Sequence, residues 1–195
     1  MIKIGLTGSI GMGKSTTTLR FAKRGVPGYD ADAAVHRLYA GRAAPLIESA
    51  FPGTTVDGVV DRTRLSGEVL DKPEAMRRLE AIVHPLVRED EIAFLDRARD
   101  QRRRAVVLDI PLLFETGGHT RVDVCVVVSA SADIQRARVL ARPGMTEDRF
   151  AAILSRQMSD AEKRRRAHFV IDTGGRFDAA DRAVDAILRA LSPLP

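Results

Sequence analysis

Five short apolar runs read as strands: Ile2–Leu6, Val26–Tyr29, Ala105–Asp109, Val122–Val128 and His168–Ile171. Stretches of helical period separate them, which predicts βαβ units and one parallel sheet. The spacing is uneven. Between Tyr29 and Ala105 the pattern predicts helices over Asp32–Tyr39, Pro45–Ala50, Arg62–Leu70, Pro73–Val83 and Pro85–Arg103, with turns at Pro52-Gly53 and Asp57-Gly58. A second insertion, Ser131–Ala167, is rich in Arg. Its Arg142-Pro143-Gly144-Met145 predicts a break between two helices, with Thr146 as the next N-cap. Asp178–Leu191 is amphipathic and predicts a closing helix. The expected organisation is a core of residues 1–31, 105–130 and 168–195, a helical lobe over 32–104, and a mobile segment over 131–167.

The first strand runs into Gly8-Ser9-Ile10-Gly11-Met12-Gly13-Lys14-Ser15, and Thr16 to Ala22 can continue as a helix. This is G-x-x-x-x-G-K-[ST], the phosphate-cradling P-loop. Its glycines let backbone N–H groups turn toward an anion. Lys14 supplies a mobile cation for the β- and γ-phosphates, and Ser15 a hydroxyl for Mg²⁺. The expected fold is therefore a three-layer α/β P-loop fold with a five-stranded parallel sheet, a helical substrate-binding insertion and a helical lid.

Ligands of open α/β sheets bind beyond the carboxyl ends of the strands. Besides the loop, Asp30-Ala31-Asp32 and Asp109-Ile110-Pro111-Leu112-Leu113-Phe114-Glu115 fall there. Phosphoryl transfer needs cations at the γ-phosphate and a group that orients or deprotonates the acceptor. Asp32 suits the last task and Asp30 is the alternative, with capping of the following helix the rival role for either. Asp109 fits a Walker-B acid or a structural role equally. Arg142, at the break in the second insertion, could neutralise transition-state charge. Lys163-Arg164-Arg165-Arg166 reads as a solvated helix end.

Composition narrows the classes. The 195 residues suit one core with a subsidiary lobe. No apolar run approaches the ~20 residues of a membrane span, and no signal-peptide layout precedes the P-loop. One cysteine, Cys125, excludes an internal disulfide. It lies in a buried strand, fits a reducing cytoplasm and reads as inert core. The net charge of +5 favours anionic ligands, but scarce aromatics argue against a nucleic-acid partner.

These residues resemble the dephospho-coenzyme A kinase family along nearly the whole chain. The likeness runs through Ile4-Gly5-Leu6-Thr7-Gly8, Gly13-Lys14-Ser15-Thr16, Asp30-Ala31-Asp32, His84-Pro85-Leu86-Val87 and Pro111-Leu112-Leu113-Phe114-Glu115. It ends with Arg156-Gln157, Lys163 and Val170-Ile171-Asp172-x-Gly174. The resemblance implies a cytoplasmic transferase that uses ATP and Mg²⁺ to phosphorylate the 3′-hydroxyl of dephospho-CoA, giving CoA and ADP. It implies a nucleotide-binding core, a CoA-binding lobe and a lid. Asp32, Lys14 and Arg142 match its catalytic residues, Gly8 to Thr16 its ATP site, and Ser15 its Mg²⁺ ligand. Thr173 and Gly174 fall near the adenine; Asp32, His84, Leu112, Leu113, Phe114 and Glu115 fall in the substrate region.

The sequence departs from the family at Ser9, Met12, Thr173 and His168, where Gly, Ser, Asn and Asp are usual. The implied partner is a small molecule, not nucleic acid or a membrane. Oligomeric state is left open, leaning to a monomer. The rivals are a nucleoside- or shikimate-type kinase and a non-catalytic nucleotide-binding module. A GTPase-like switch would need an Asn-Lys-x-Asp element, and the chain contains no Asn.

Overall fold

A computed structural model describes residues 1–192; residues 193–195, to which the expected core extends, lie outside the described residues. The chain runs β1 (Ile2–Thr7), α1 (Lys14–Ala22), β2 (Gly28–Asp30), α2 (Ala31–Tyr39), α3 (Ala44–Ala50), β3 (Thr55–Val56), β4 (Val59–Val60), α4 (Arg62–Val69) and α5 (Pro73–Asp100). It continues with β5 (Ala105–Asp109), β6 (Val124–Ser129), α6 (Ala132–Leu140), α7 (Glu147–Ser155), α8 (Asp160–Arg166), β7 (Phe169–Asp172) and α9 (Phe177–Leu191). The five-stranded parallel sheet expected from the apolar runs is present, in the order β2-β5-β1-β6-β7. Its centre is apolar on both faces, as a sheet covered by helices requires: Val106, Val107, Val126, Val127 and Val128 are fully buried.

The chain divides into two compact units. One is Met1–Tyr29 with the chain from Ala98 onward; the other is Asp30–Arg97. The first holds the sheet. Here α1 packs on β5 and β1, α9 on β7 and α1, and α8 on β6. Helix α9 shows why it docks: Ala180, Val184, Ile187 and Leu191, spaced three or four apart, form its buried face. The second unit has its own core, in which Leu38, Ile47, Phe51, Leu65, Leu79 and Val83 meet.

Several expectations change. The two helices expected over Pro73–Val83 and Pro85–Arg103 form one helix, α5, with Pro85 inside it. Proline removes the N–H that would bond the carbonyl of Ala81, but Leu79, Val83 and Leu86 keep one buried face running across it. Between α3 and α4, β3 and β4 form a two-stranded antiparallel hairpin, where the sequence suggests only a turn. The Glu48 carboxylate holds it by accepting from the N–H groups of Gly53 (2.6 Å) and Thr55 (2.9 Å). The break after α6 is as expected, and Thr146 caps α7 by accepting from Arg149 N–H. Cys125 lies buried in β6, and burial pushes its thiol pKa up. Among the described residues no helix is long and apolar enough to cross a membrane.

Candidate active site

The carboxyl ends of β1 and β5 lie side by side, with Leu6 in register with Asp109. The chain leaving β1 turns through the Gly8–Ser15 loop. Gly8 sits against β6, where a Cβ would come within 2.7 Å of the Val128 carbonyl oxygen. Gly13 has φ +83° and opens α1 with no side-chain cap. Both positions therefore need glycine, and the first-turn N–H groups of α1 are left to an outside acceptor, as anion binding requires. Ser15 and Thr16 are exposed on that turn.

The Lys14 ammonium pairs with the Asp109 carboxylate, and Thr18 Oγ1 donates to its other oxygen at 2.9 Å. Asp109 is buried. Of its two sequence readings, the structure shows a strand-end acid held against the loop lysine.

Beside the loop lies a cleft of about 280 Å³, bordered by Gly13, Thr16, Arg138, Arg142, Thr173 and Phe177. Arg20 and Arg176 also reach it, so four guanidinium groups surround a small space. A larger cleft, about 790 Å³, opens at the opposite ends of β1 and β5, near Ile2 and Ala105. The smaller one borders the glycine loop, through Gly11 and Gly13, on the side where ligands of open α/β sheets bind. Thr173 donates its hydroxyl to the carbonyl of Met12 in the loop at 2.8 Å. Arg138 in turn donates to the Thr173 carbonyl at 2.7 Å. Gly174 N–H is capped by Asp172.

The 112–115 stretch divides by exposure. Leu113 and Phe114 are buried in a core cluster with Cys125 and Val127, whereas Leu112 is exposed. Glu115 Oε1 accepts from Met158 N–H at 2.8 Å and lies 3.0 Å from the Lys163 ammonium. Burial alone would raise the Glu115 pKa; the Met158 N–H and Lys163 outweigh it and bring it below the usual carboxylate range. Lys163 is fully buried, unlike Arg164 to Arg166, so the run Lys163–Arg166 is solvated only in its arginines.

In the second unit, Asp30 is the N-cap of α2, accepting from Ala33 N–H at 2.9 Å. Asp32 is exposed on the first turn and accepts no such bond. His84 is exposed on α5.

Two residues escaped the sequence reading. Gln135 Nε2 donates to the Ile10 carbonyl at 2.8 Å, and Gln157 Oε1 accepts from Ile10 N–H at 3.2 Å. Their partners lie 125 and 147 positions away, so no local pattern announces them; Gln157 stood only within a family motif. Among the described residues no group of three or more His, Cys, Asp or Glu could hold a metal.

A glycine loop between strand and uncapped helix, with its lysine on a neighbouring strand-end acid, defines a P-loop kinase. The sequence matches the dephospho-CoA kinase family over residues 2–178. It is 63% identical over 191 residues to the dephospho-CoA kinase of Mesorhizobium japonicum, covering 98% of this chain and 97% of that one. It is 59% identical to that of Brucella melitensis, covering 100% and 98%. The crystal structure of TT1252 from Thermus thermophilus superposes with a TM-score of 0.86 at 36% identity, covering 97% of each chain. The chain belongs to the dephospho-CoA kinase family, and it is a transferase.

Proposed function

We propose that this chain transfers the γ-phosphoryl group of ATP to the ribose 3′-hydroxyl of dephospho-CoA, giving CoA and ADP, with Lys14, Arg142 and Asp32 at the reacting atoms. The observation that carries the reading is the uncapped start of α1 with Lys14 held at Asp109. N–H groups of the Gly8–Thr16 loop cradle the phosphates, and Lys14 follows the charge that spreads over the transferred group. Arg142 borders the same cleft and neutralises charge from the other side. Thr173, which braces the loop, and the adjoining Gly174 bound the nucleotide.

Asp32 takes the proton of the acceptor hydroxyl. Asp30 is the weaker candidate, because its carboxylate is spent on capping α2. His84 and Leu112 offer exposed surface to the acceptor. Leu113, Phe114 and Glu115 support that stretch from below. The exposed Ser15 hydroxyl would be the protein ligand for a Mg²⁺ ion, which would lower the charge on the phosphates; a single hydroxyl suits an ion that retains most of its water. The enzyme acts in the cytoplasm on small molecules, with neither nucleic acid nor a membrane as partner.

The test is ADP release from ATP with dephospho-CoA, adenosine, shikimate or no acceptor. Only dephospho-CoA is expected to drive turnover; a preference for another acceptor assigns a different kinase activity. Asp32→Asn is expected to lower kcat at least ~10²-fold with the KM for ATP nearly unchanged. Near-normal turnover in that variant removes Asp32 from the reaction.

A further inference from the structure

Ile10, at the crest of the phosphate loop, has both its N–H and its carbonyl, which belong to the two successive peptide planes flanking its Cα, held by side chains from one distant segment. Gln157 Oε1 accepts its N–H at 3.2 Å, and Gln135 Nε2 donates to its carbonyl at 2.8 Å. Gln135 stands on α6 and Gln157 just beyond α7, so they flank the stretch that carries Arg142. Gln135 is buried, and with its amide NH₂ directed at Ile10 it presents one orientation to the loop. Gln157 is fixed in turn. The next N–H, that of Met158, donates to Glu115, and Glu115 is anchored by the fully buried Lys163.

The loop has little else at its crest. Within it Met12 N–H bonds Ser9 carbonyl at 3.1 Å; the carbonyl of Met12 is taken by Thr173, and its sulfur by Ala130 N–H at 3.0 Å. The bracing of the loop thus comes from outside it.

We infer that Gln135 and Gln157 are positioning residues that set the phosphate-loop geometry from the 131–167 segment, so that nucleotide affinity depends on that segment even where it touches no phosphate. The physical reason is cooperative. The Ser9–Ile10 plane is held through its N–H and the Ile10–Gly11 plane through its carbonyl, so together the two bonds fix the torsions about the Ile10 Cα, and either bond alone leaves the other plane free to turn. Backbone N–H groups bind an anion well only when already aimed, since aiming them at binding costs conformational entropy. Losing either glutamine frees one of the two planes and with it the aim of the loop, so the two losses overlap instead of adding. The inference rests on reading this loop as the ATP site.

The test uses the full chain with Gln157→Met, Gln135→Met and the double variant. The readouts are equilibrium binding of N-methylanthraniloyl-ADP by fluorescence, both KM values and thermal unfolding. Each single variant is expected to weaken nucleotide binding and raise the KM for ATP by about tenfold, the effect of one hydrogen bond to a preorganised site. The KM for dephospho-CoA stays within twofold. The double variant is expected to be little worse than the weaker single one.

A purely structural role would lower the unfolding temperature while leaving nucleotide affinity intact, and that result overturns the inference. So does a parallel rise in both KM values, or losses that multiply in the double variant. Gln157 is only half-buried, so its variant carries the test if Gln135→Met does not fold. If the unaltered chain fails to bind the labelled nucleotide displaceably by ATP, the donor-site reading itself has failed, which is a separate outcome.

Discussion

Lys163 is fully buried, with the Glu115 carboxylate beside it. Its ammonium is in ion-pair contact with Glu115 at 3.0 Å, though not in a well-directed hydrogen bond. Breaking a buried pair by removing one partner leaves the other charge uncompensated, and so costs more than the pair itself contributes. Lys163→Met is therefore expected to destabilise the fold by about 3 kcal/mol, the low end for such losses because Glu115 keeps some exposure. Urea unfolding checks it; unchanged stability means the pair contributes nothing. The pH dependence has a definite sign. Glu115 titrates below its ordinary value of 4.5 in the folded chain, so its contribution is present above that pH and is lost as pH falls through the lower, folded value. The gap between Lys163→Met and the unaltered chain should narrow in acid. The residues of the phosphate loop were legible because their chemistry is local: glycines, a lysine and a hydroxyl at fixed spacing. Lys163 was misread for the same reason. In sequence it heads a basic run, and only the fold reveals that α8, packed on β6, buries it while turning its arginines outward.

Elements were legible wherever one period ran unbroken. Strand β5 has the bounds its apolar run suggests, and α9 begins one residue earlier than its pattern does. Errors gather where local and tertiary preferences compete. Pro85 signals a helix boundary, yet α5 continues through it because the buried face is continuous on both sides. The β3–β4 hairpin has strands of two residues each, too short to show alternation; its Asp57-Gly58 turn is visible and its pairing is not. A proline kept inside a helix is a standing cost. Pro85→Ala restores one backbone hydrogen bond and is expected to raise stability by roughly 1 kcal/mol. This is less than the intrinsic ~3 kcal/mol penalty, because Ala81 is exposed and its carbonyl is open to solvent without the bond. Thermal unfolding should show a higher midpoint. A lower one would mean that the helix has adapted to the ring. Lost kinase activity in a stabilised variant would tie the His84-Pro85 pair to the acceptor.

For the whole molecule, charge is the property that sequence counts most directly and places least well. The chain carries 31 Lys and Arg against 26 Asp and Glu, a net charge of +5. Much of it is cancelled locally: Arg24 lies between Asp181 and Asp185, and Arg166 against Glu162. Four arginines border the cleft beside the phosphate loop, and of these Arg20 faces Asp181 and Arg176 faces Asp178. Both proposed substrates are polyanions, so this excess acts on their approach before it acts on any bond. Exposed charges steer encounter and are screened by salt, whereas Lys14, half-buried beside Asp109, is screened much less. The two kinetic parameters should therefore separate. From about 0.01 M to about 1 M salt the screening length falls from ~30 Å to ~3 Å. Over that range kcat/KM for ATP is expected to fall at least about tenfold while kcat changes much less. Arg176→Gln, which removes one exposed charge at the rim, should flatten the dependence and leave saturated turnover near its original value. A kcat/KM indifferent to salt would show that the cleft arginines act only after the nucleotide is seated; a kcat falling in step with it would place the screened charges at the reacting phosphate.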